Sequence, residues 1–368
     1  MVIHSSGPKK PPPKKNFLLS TFYFLLPKNR TLRRIALVLT AIVLAVVGSS
    51  YGIAQWYIHK HSSEPLKYGV TFIPSYAEYF GLDAKDTMQA IIDDLGVKQF
   101  RLVSYWEDIE STPGLYDFGK LDWQFEMAEK AGAKVSLAIG LRQPRWPECH
   151  QPTWVNGEPR DVWYPQLKEV MKKTIERYKN NPALESYQLE NEFFLTVFGE
   201  CKDFDRARLV DEARFVKELD PDHKLIISRS NNGVGIPLGA PTPDQFGVSV
   251  YKRVWDKTIT HRYFEYPFPA WFYGFLAGAG EVVSGKDMII HELQAEAWLP
   301  VGFDMRTAPL EEQNKSLNAK RLKDRFQYGK GTGMKHIDLW GVEWWYWRKT
   351  KLGDPSLWDV ARTEFRAN

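Results

Sequence analysis

The sequence predicts an α/β fold: a (β/α)8, or TIM, barrel preceded by an N-terminal transmembrane helix. Three observations predict it. Apolar strand-like runs alternate eight times with helical stretches between residues 68 and 368. Glycines and prolines fall where those helices should stop. Ahead of them lies an uncharged apolar run from Ile35 to Ile58.

The N-terminal part divides by composition. Residues 1–34 form a basic tail, with Pro11, Pro12 and Pro13 in a row, that cannot build a core and is expected to be disordered. Lys9, Lys10, Lys14, Lys15, Lys28, Arg30, Arg33 and Arg34 precede the first acidic residue, Glu64. Removing those eight charges from a net +4 leaves −4 for the remainder. The folded part is therefore mildly acidic, which gives no reason to expect nucleic-acid binding. Residues 35–58, as a helix, span roughly 30–36 Å, enough for a bilayer core. No amphipathic stripe interrupts them, and Trp56 and Tyr57 close the run as interfacial aromatics do. The basic leader puts the N-terminus in the cytoplasm and the catalytic part of the chain outside. The expectation is a single-pass signal anchor. The competing reading is a signal peptide cleaved at Gly52-Ile53-Ala54. Residues 59–67 read as a polar linker and residues 68–368 as the barrel domain.

The strands read Tyr68–Pro74, Lys98–Trp106, Lys134–Gly140, Ser186–Glu192, Lys224–Asn231, Gln245–Lys252, Asp287–Glu296 and His336–Trp347. Helical stretches between them include Ala84–Leu95, Leu121–Ala131, Tyr164–Tyr178, Arg206–Leu219 and Leu310–Tyr328. Such alternation implies parallel pairing through right-handed crossovers, and eight units imply closure. The segment Gly233–Asp244 holds three prolines and is the weakest place for a helix.

Barrel enzymes place their chemistry at the C-terminal ends of strands. Here those ends are polar and aromatic: Arg101 to Trp106 on strand two, Glu190-Asn191-Glu192 on strand four, Tyr251 on strand six, Glu292 on strand seven, and Trp340 to Trp345 on strand eight. Two glutamates facing one mouth suit glycoside hydrolysis. One carboxyl protonates the leaving oxygen and the other attacks the anomeric carbon. Arg101 could support an ionised Glu292 by charge and hydrogen bonding. Fourteen tryptophans fit sugar stacking, though they also pack cores. Trp106 and Trp146 are candidate subsite residues. Trp146, with Trp154 and Trp163, could equally hold a long loop together.

The stretch Tyr187-Gln188-Leu189-Glu190-Asn191-Glu192-Phe193 resembles the strand-four Asn-Glu signature of clan A glycoside hydrolases. That resemblance implies Glu192 as acid/base and Asn191 as the ligand of the sugar 2-hydroxyl. Ile289-Ile290-His291-Glu292-Leu293-Gln294 resembles the strand-seven nucleophile segment, implying Glu292 as nucleophile. Tyr251 is similar to a strand-six tyrosine that bonds the nucleophile, and Trp344 to a strand-eight tryptophan that floors the subsite. Arg101 to Glu110, Pro113 to Phe118 and Leu121-Asp122 resemble the early barrel of family 42 β-galactosidases and relatives. Some clan families carry a histidine two residues before that tyrosine; Ser249 stands there. The resemblance implies a retaining hydrolase of β-linked oligo- or polysaccharides, without a cofactor.

Two other readings compete. A catalytically inactive, carbohydrate-binding barrel would keep the fold without both glutamates. A lyase or aldolase would want a strand-end lysine or metal ligands. Lys252 is the sole lysine so placed, and the histidines lack metal-ligand spacing. Glu296 shares strand parity with Glu292, but Glu292 sits closer to the apolar strand centre. Cys149 and Cys201, the only cysteines, follow strands three and four. An extracytoplasmic site permits oxidation, so a disulfide between those loops is expected.

Overall fold

The computed structural model describes residues 29–229 and 239–367. The basic tail through residue 28, the expected end of strand five at Ser230-Asn231, and residues 232–238 of the proline-containing segment lie outside the described residues. The described residues divide into two compact units, parted between Gly52 and Ile53. A helix over Arg30–Lys60 contributes to both. It is long and apolar enough to cross a membrane, and none of its most apolar stretch is buried.

The second unit is a closed barrel of eight parallel strands. They are β1 (Lys67–Thr71), β2 (Gln99–Val103), β3 (Lys134–Ile139), β4 (Leu184–Leu189), β5 (Lys224–Arg229), β6 (Gln245–Val250), β9 (Met288–Gln294) and β10 (His336–Trp340). A hairpin of β7 (Arg253–Asp256) and β8 (Arg262–Glu265) lies between β6 and β9. Round the barrel the order is β1-β10-β9-β6-β5-β4-β3-β2. Strands β2 and β9 are buried along their whole length. Side chains inside the barrel and beneath the helices both leave water, so the polar Gln99, Arg101, His291, Glu292 and Gln294 of these two strands are buried along with their apolar neighbours.

The eight strands begin close to where the sequence puts them, and the seven whose expected ends lie among the described residues end sooner. The largest difference is at β10. Gly341, at φ 110°, turns the chain out of the sheet into a helix over Val342–Lys351. Trp344, Trp345 and Trp347 are therefore helical rather than strand residues. The expected helix Leu310–Tyr328 is two helices, Leu310–Ser316 and Ala319–Lys330, broken at Leu317-Asn318. The helix Ala84–Leu95 ends in a π turn over Ile91–Leu95, closed by Gly96 at φ 77°. The helix ahead of the barrel runs on to Lys60, into the segment expected as linker.

Candidate active site at the C-terminal mouth of the barrel

Strand β4 stops at Leu189, and the next three residues carry the site. Glu190 and Glu192 adopt φ 52° and φ 43°. Left-handed backbone at a non-glycine residue costs about 1–3 kcal/mol, so neighbours must hold it. They do: Asn191 N donates to Arg142 O (2.6 Å) and Glu192 N donates to Ser228 Oγ (3.1 Å). The turn breaks strand alternation. Glu190 points into a buried ion cluster, accepting from Leu141 N (2.7 Å), Arg142 N (3.0 Å) and Arg208 Nη1 (2.8 Å). It thereby fixes the loop after β3 to β4.

Arg101, wholly buried on β2, organises the centre. Its Nη1 donates to Glu292 Oε2 (2.8 Å), Nη2 to Asn191 Oδ1 (2.7 Å) and Nε to Gln188 Oε1 (2.7 Å). Tyr251, one residue past β6, donates to Glu292 Oε1. Both oxygens of Glu292 thus meet donors, one of them charged, and its orientation is fixed from two sides. Asn191 spends its carbonyl on Arg101 and on Gln188 Nε2 (2.9 Å), and one amide hydrogen on Glu148 Oε2 (3.0 Å).

Glu192 stands in a different environment. It is buried, and its Oε1 has no hydrogen-bond partner. Burial, and next the charge of Glu292, push its pKa up to about 7; the proximity of Ser249, Arg142 and Arg101 pulls the other way. At neutral pH a large fraction of Glu192 therefore carries a proton. Glu148 is a third carboxyl beside these two. Burial raises its pKa to about 8, and the charges of Glu192 and Glu292 add to that.

The sequence candidates come together in part. Glu192, Glu292, Asn191, Arg101 and Tyr251 form one hydrogen-bonded and electrostatically coupled group. Trp344 does not join them. It is fully buried in the helix after β10 and donates Nε1 to Gln313 Oε1 (2.8 Å). Trp106 does not either. It opens a one-turn helix, Trp106–Ile109, is buried, and donates Nε1 to Glu110 Oε2 (2.8 Å). Counting along a strand misplaces both, because each strand has already ended. Trp146 is 56% exposed and meets Phe198 edge-on at 5.7 Å. Phe198 lies 6.1 Å from Trp298, whose ring meets Tyr251 edge-on at 5.4 Å. An aromatic series therefore runs from solvent to the ring that bonds Glu292.

Trp340, which the sequence also puts at the end of strand eight, is the last residue of β10, with Gly341 behind it. Residues that the sequence does not single out also belong here. Gln188 and Ser228 share the inner hydrogen-bond net. Glu148 sits on a long loop, where nothing local marks it. Lys252 is engaged elsewhere, donating Nζ to Tyr266 O and Phe268 O (2.9 Å).

Cys149 and Cys201 form a disulfide, with Cα atoms 5.3 Å apart, joining the loops after β3 and β4. The bridge spans 52 residues of chain. Closing a loop of that length in the unfolded state is worth about 4 kcal/mol on chain-entropy grounds. Replacing both cysteines by serine should cost about 2–4 kcal/mol in denaturant unfolding. A loss below about 0.5 kcal/mol would count against any constraint on the loops.

No family model matches the chain. A curated relative, mannan endo-1,4-beta-mannosidase A of Podospora anserina, is 26% identical over 156 residues, covering 40% of this chain and 39% of the relative. Among solved structures, the GH5_18 protein of Bifidobacterium longum in complex with Manβ1-4GlcNAc aligns with a TM-score of 0.58. It is 11% identical, over 82% of this chain and 77% of that one. A β-galactosidase from the Antarctic haloarchaeon Halorubrum lacusprofundi aligns at 0.51 and 13% identity, over 74% of this chain and 52% of that one. The chain thus spans well under half of the mannosidase and about half of the β-galactosidase. In fold it is a TIM barrel, as these solved structures are.

Proposed function

We propose that the chain is a retaining O-glycoside hydrolase that cleaves β-glycosidic bonds of an extracytoplasmic glycan by double displacement. The observation that carries this reading is the contrast between two carboxyls at one mouth. Glu192, with its pKa raised to about 7 by burial and by the charge of Glu292, keeps its proton up to near neutral pH and has an unengaged oxygen. Glu292 is clamped by Arg101 and Tyr251. Acid and nucleophile need this division of environment.

In the first step Glu192 gives its proton to the glycosidic oxygen while a Glu292 oxygen bonds the anomeric carbon. The leaving alcohol departs and a glycosyl ester remains on Glu292. Arg101 and Tyr251 keep the attacking carboxylate in line. Glu192, now ionised, takes a proton from water, which attacks the same carbon and releases Glu292. Two inversions restore the starting configuration. Asn191, held by Arg101, Gln188 and Glu148, binds the sugar 2-hydroxyl in this reading. Proton NMR of early turnover of an aryl β-glycoside should show the β-anomer first. The α-anomer as first product would exclude double displacement.

The same proposal includes anchoring: residues 1–34 cytoplasmic, residues 35–58 in the bilayer, and residues 68–368 outside. Support comes from residues 53–61, which are part of the barrel unit. Ala54 and Tyr57 are buried, and Tyr57 donates its hydroxyl to Asp287 Oδ1 (2.7 Å). A Cβ on Gly278 would sit 3.0 Å from Ile53 Cγ2 and Tyr57 Cβ, so the two helices approach closely there. Cleavage near Gln55 would strip Ile53 and Ala54 from this packing. Protease added to intact cells should digest the barrel and spare the residues ahead of the helix. Soluble enzyme with a new N-terminus near Gln55 would contradict the anchor.

A further inference from the structure

At the mouth, four side chains from four different strand ends are joined. Arg145, in the loop after β3, donates Nη2 to Glu296 Oε2 at 3.0 Å. Tyr76, in the helix Pro74–Tyr79 after β1, donates its hydroxyl to Glu296 Oε1. The Arg145 guanidinium lies 3.3 Å from the Tyr76 ring centroid and 4.4 Å from that of Trp340. The group is tightly built. The Arg145 side chain is 19% exposed, that of Glu296 8%. Gly341 leaves room for Glu296, because a Cβ there would sit 2.5 Å from the Glu296 Cβ. His150, stacked on Tyr105 at 3.6 Å, bonds the Arg145 carbonyl through Nε2 at 3.0 Å.

The barrel order gives this group its meaning. β3 and β9 stand four strands apart in either direction, so they face each other across the mouth. An ion pair between the loop after β3 and the end of β9 passes over β2, β1 and β10. The rings of Tyr76 and Trp340 pack against its guanidinium. Glu192 follows β4, in the opposite half. Since Glu192 must reach the leaving oxygen, the leaving group lies toward β4, β5 and β6. The glycone then points at the half that the strap covers.

We infer that the Tyr76–Arg145–Glu296–Trp340 strap closes the glycone side after one sugar, making the protein an exo-acting glycosidase that removes single non-reducing terminal residues. This rests on the glycosidase reading proposed above and adds the form of substrate. Arg145 and Glu296 are then specificity-determining residues, engaged with each other and with Tyr76 rather than with the Glu292 carboxylate. A longer glycone would have to displace a nearly buried ion pair stacked between two rings, a stronger barrier than a merely tight apolar pocket.

The test uses the full-length enzyme in detergent and 4-nitrophenyl β-glycosides, each sugar presented alone and as the terminal residue of its β-1,4-linked disaccharide. From the disaccharide glycosides, free monosaccharide should appear first and nitrophenol after a lag. Intact disaccharide as the first product, with immediate nitrophenol, would overturn the inference while leaving the glycosidase reading standing. No hydrolysis of any member, natural extracellular glycans included, would overturn both. Arg145→Ala and, as an independent opening of the strap, Glu296→Ala should raise release of intact disaccharide relative to monosaccharide by about tenfold or more. An unchanged ratio in folded variants would assign the four residues to packing alone.

Discussion

Glu292→Ala should lower turnover of an aryl β-glycoside by roughly 10⁴- to 10⁶-fold, because the covalent route is lost with its nucleophile. Arg101 and Tyr251 would still flank the space that the carboxylate leaves. Added azide should enter there, attack the anomeric carbon from the face opposite the leaving group, and yield an α-glycosyl azide. Restored rate together with that product identifies the missing side chain as the nucleophile. A loss below about tenfold would place the nucleophile elsewhere. Arg101 and Tyr251 variants would lose activity by a different route, through misorientation, and azide should not restore them.

Glu192→Gln should cost about 10²- to 10⁴-fold on substrates with poor leaving groups, which need a proton. Glycosylation by a dinitrophenyl glycoside, whose leaving group departs unaided, should be largely spared. The pH dependence adds a second reading. With its pKa raised to about 7, mainly by burial and then by Glu292, Glu192 loses its proton as pH rises through that value. Activity of the native enzyme should therefore fall above about pH 7, and this limb should vanish in the glutamine variant. Equal losses on both substrate classes, or an unchanged basic limb, would remove Glu192 from the role of acid.

The sequence carries the barrel because barrel strands are short, apolar on both faces and punctuated by glycine and proline. It carries Glu192, Asn191, Glu292, Arg101 and Tyr251 because all five lie within or just past such strands. Strand ends are harder. Periodicity shows which way a residue points only while the strand lasts, and here the strands stop where function begins. Glu190 and Glu192 sit in left-handed backbone, so alternation says nothing about them. Extending β10 past Gly341 puts Trp344 at the mouth, whereas that glycine starts a helix and buries the ring. Trp106 fails for the same reason at the end of β2. The strap is illegible in another way. Arg145 and Glu296 are 151 residues apart, and only the closed barrel brings their loops together. Glu148 gains its raised pKa from burial against two other carboxyls, none of which its neighbours in sequence reveal.

The central claim is that Glu292, and no other carboxylate, forms the glycosyl ester. Glu296 is its near neighbour in sequence, yet it is committed to Tyr76 and Arg145 rather than to Arg101 and Tyr251. The most direct measurement is inactivation by a 2-deoxy-2-fluoro β-glycoside with a dinitrophenyl leaving group. The fluorine slows breakdown of the intermediate, so the labelled peptide can be isolated and sequenced by mass spectrometry. One sugar per chain, on Glu292, is the expected result. A label on Glu296 or Glu148, or inactivation with no labelled carboxylate, would contradict it.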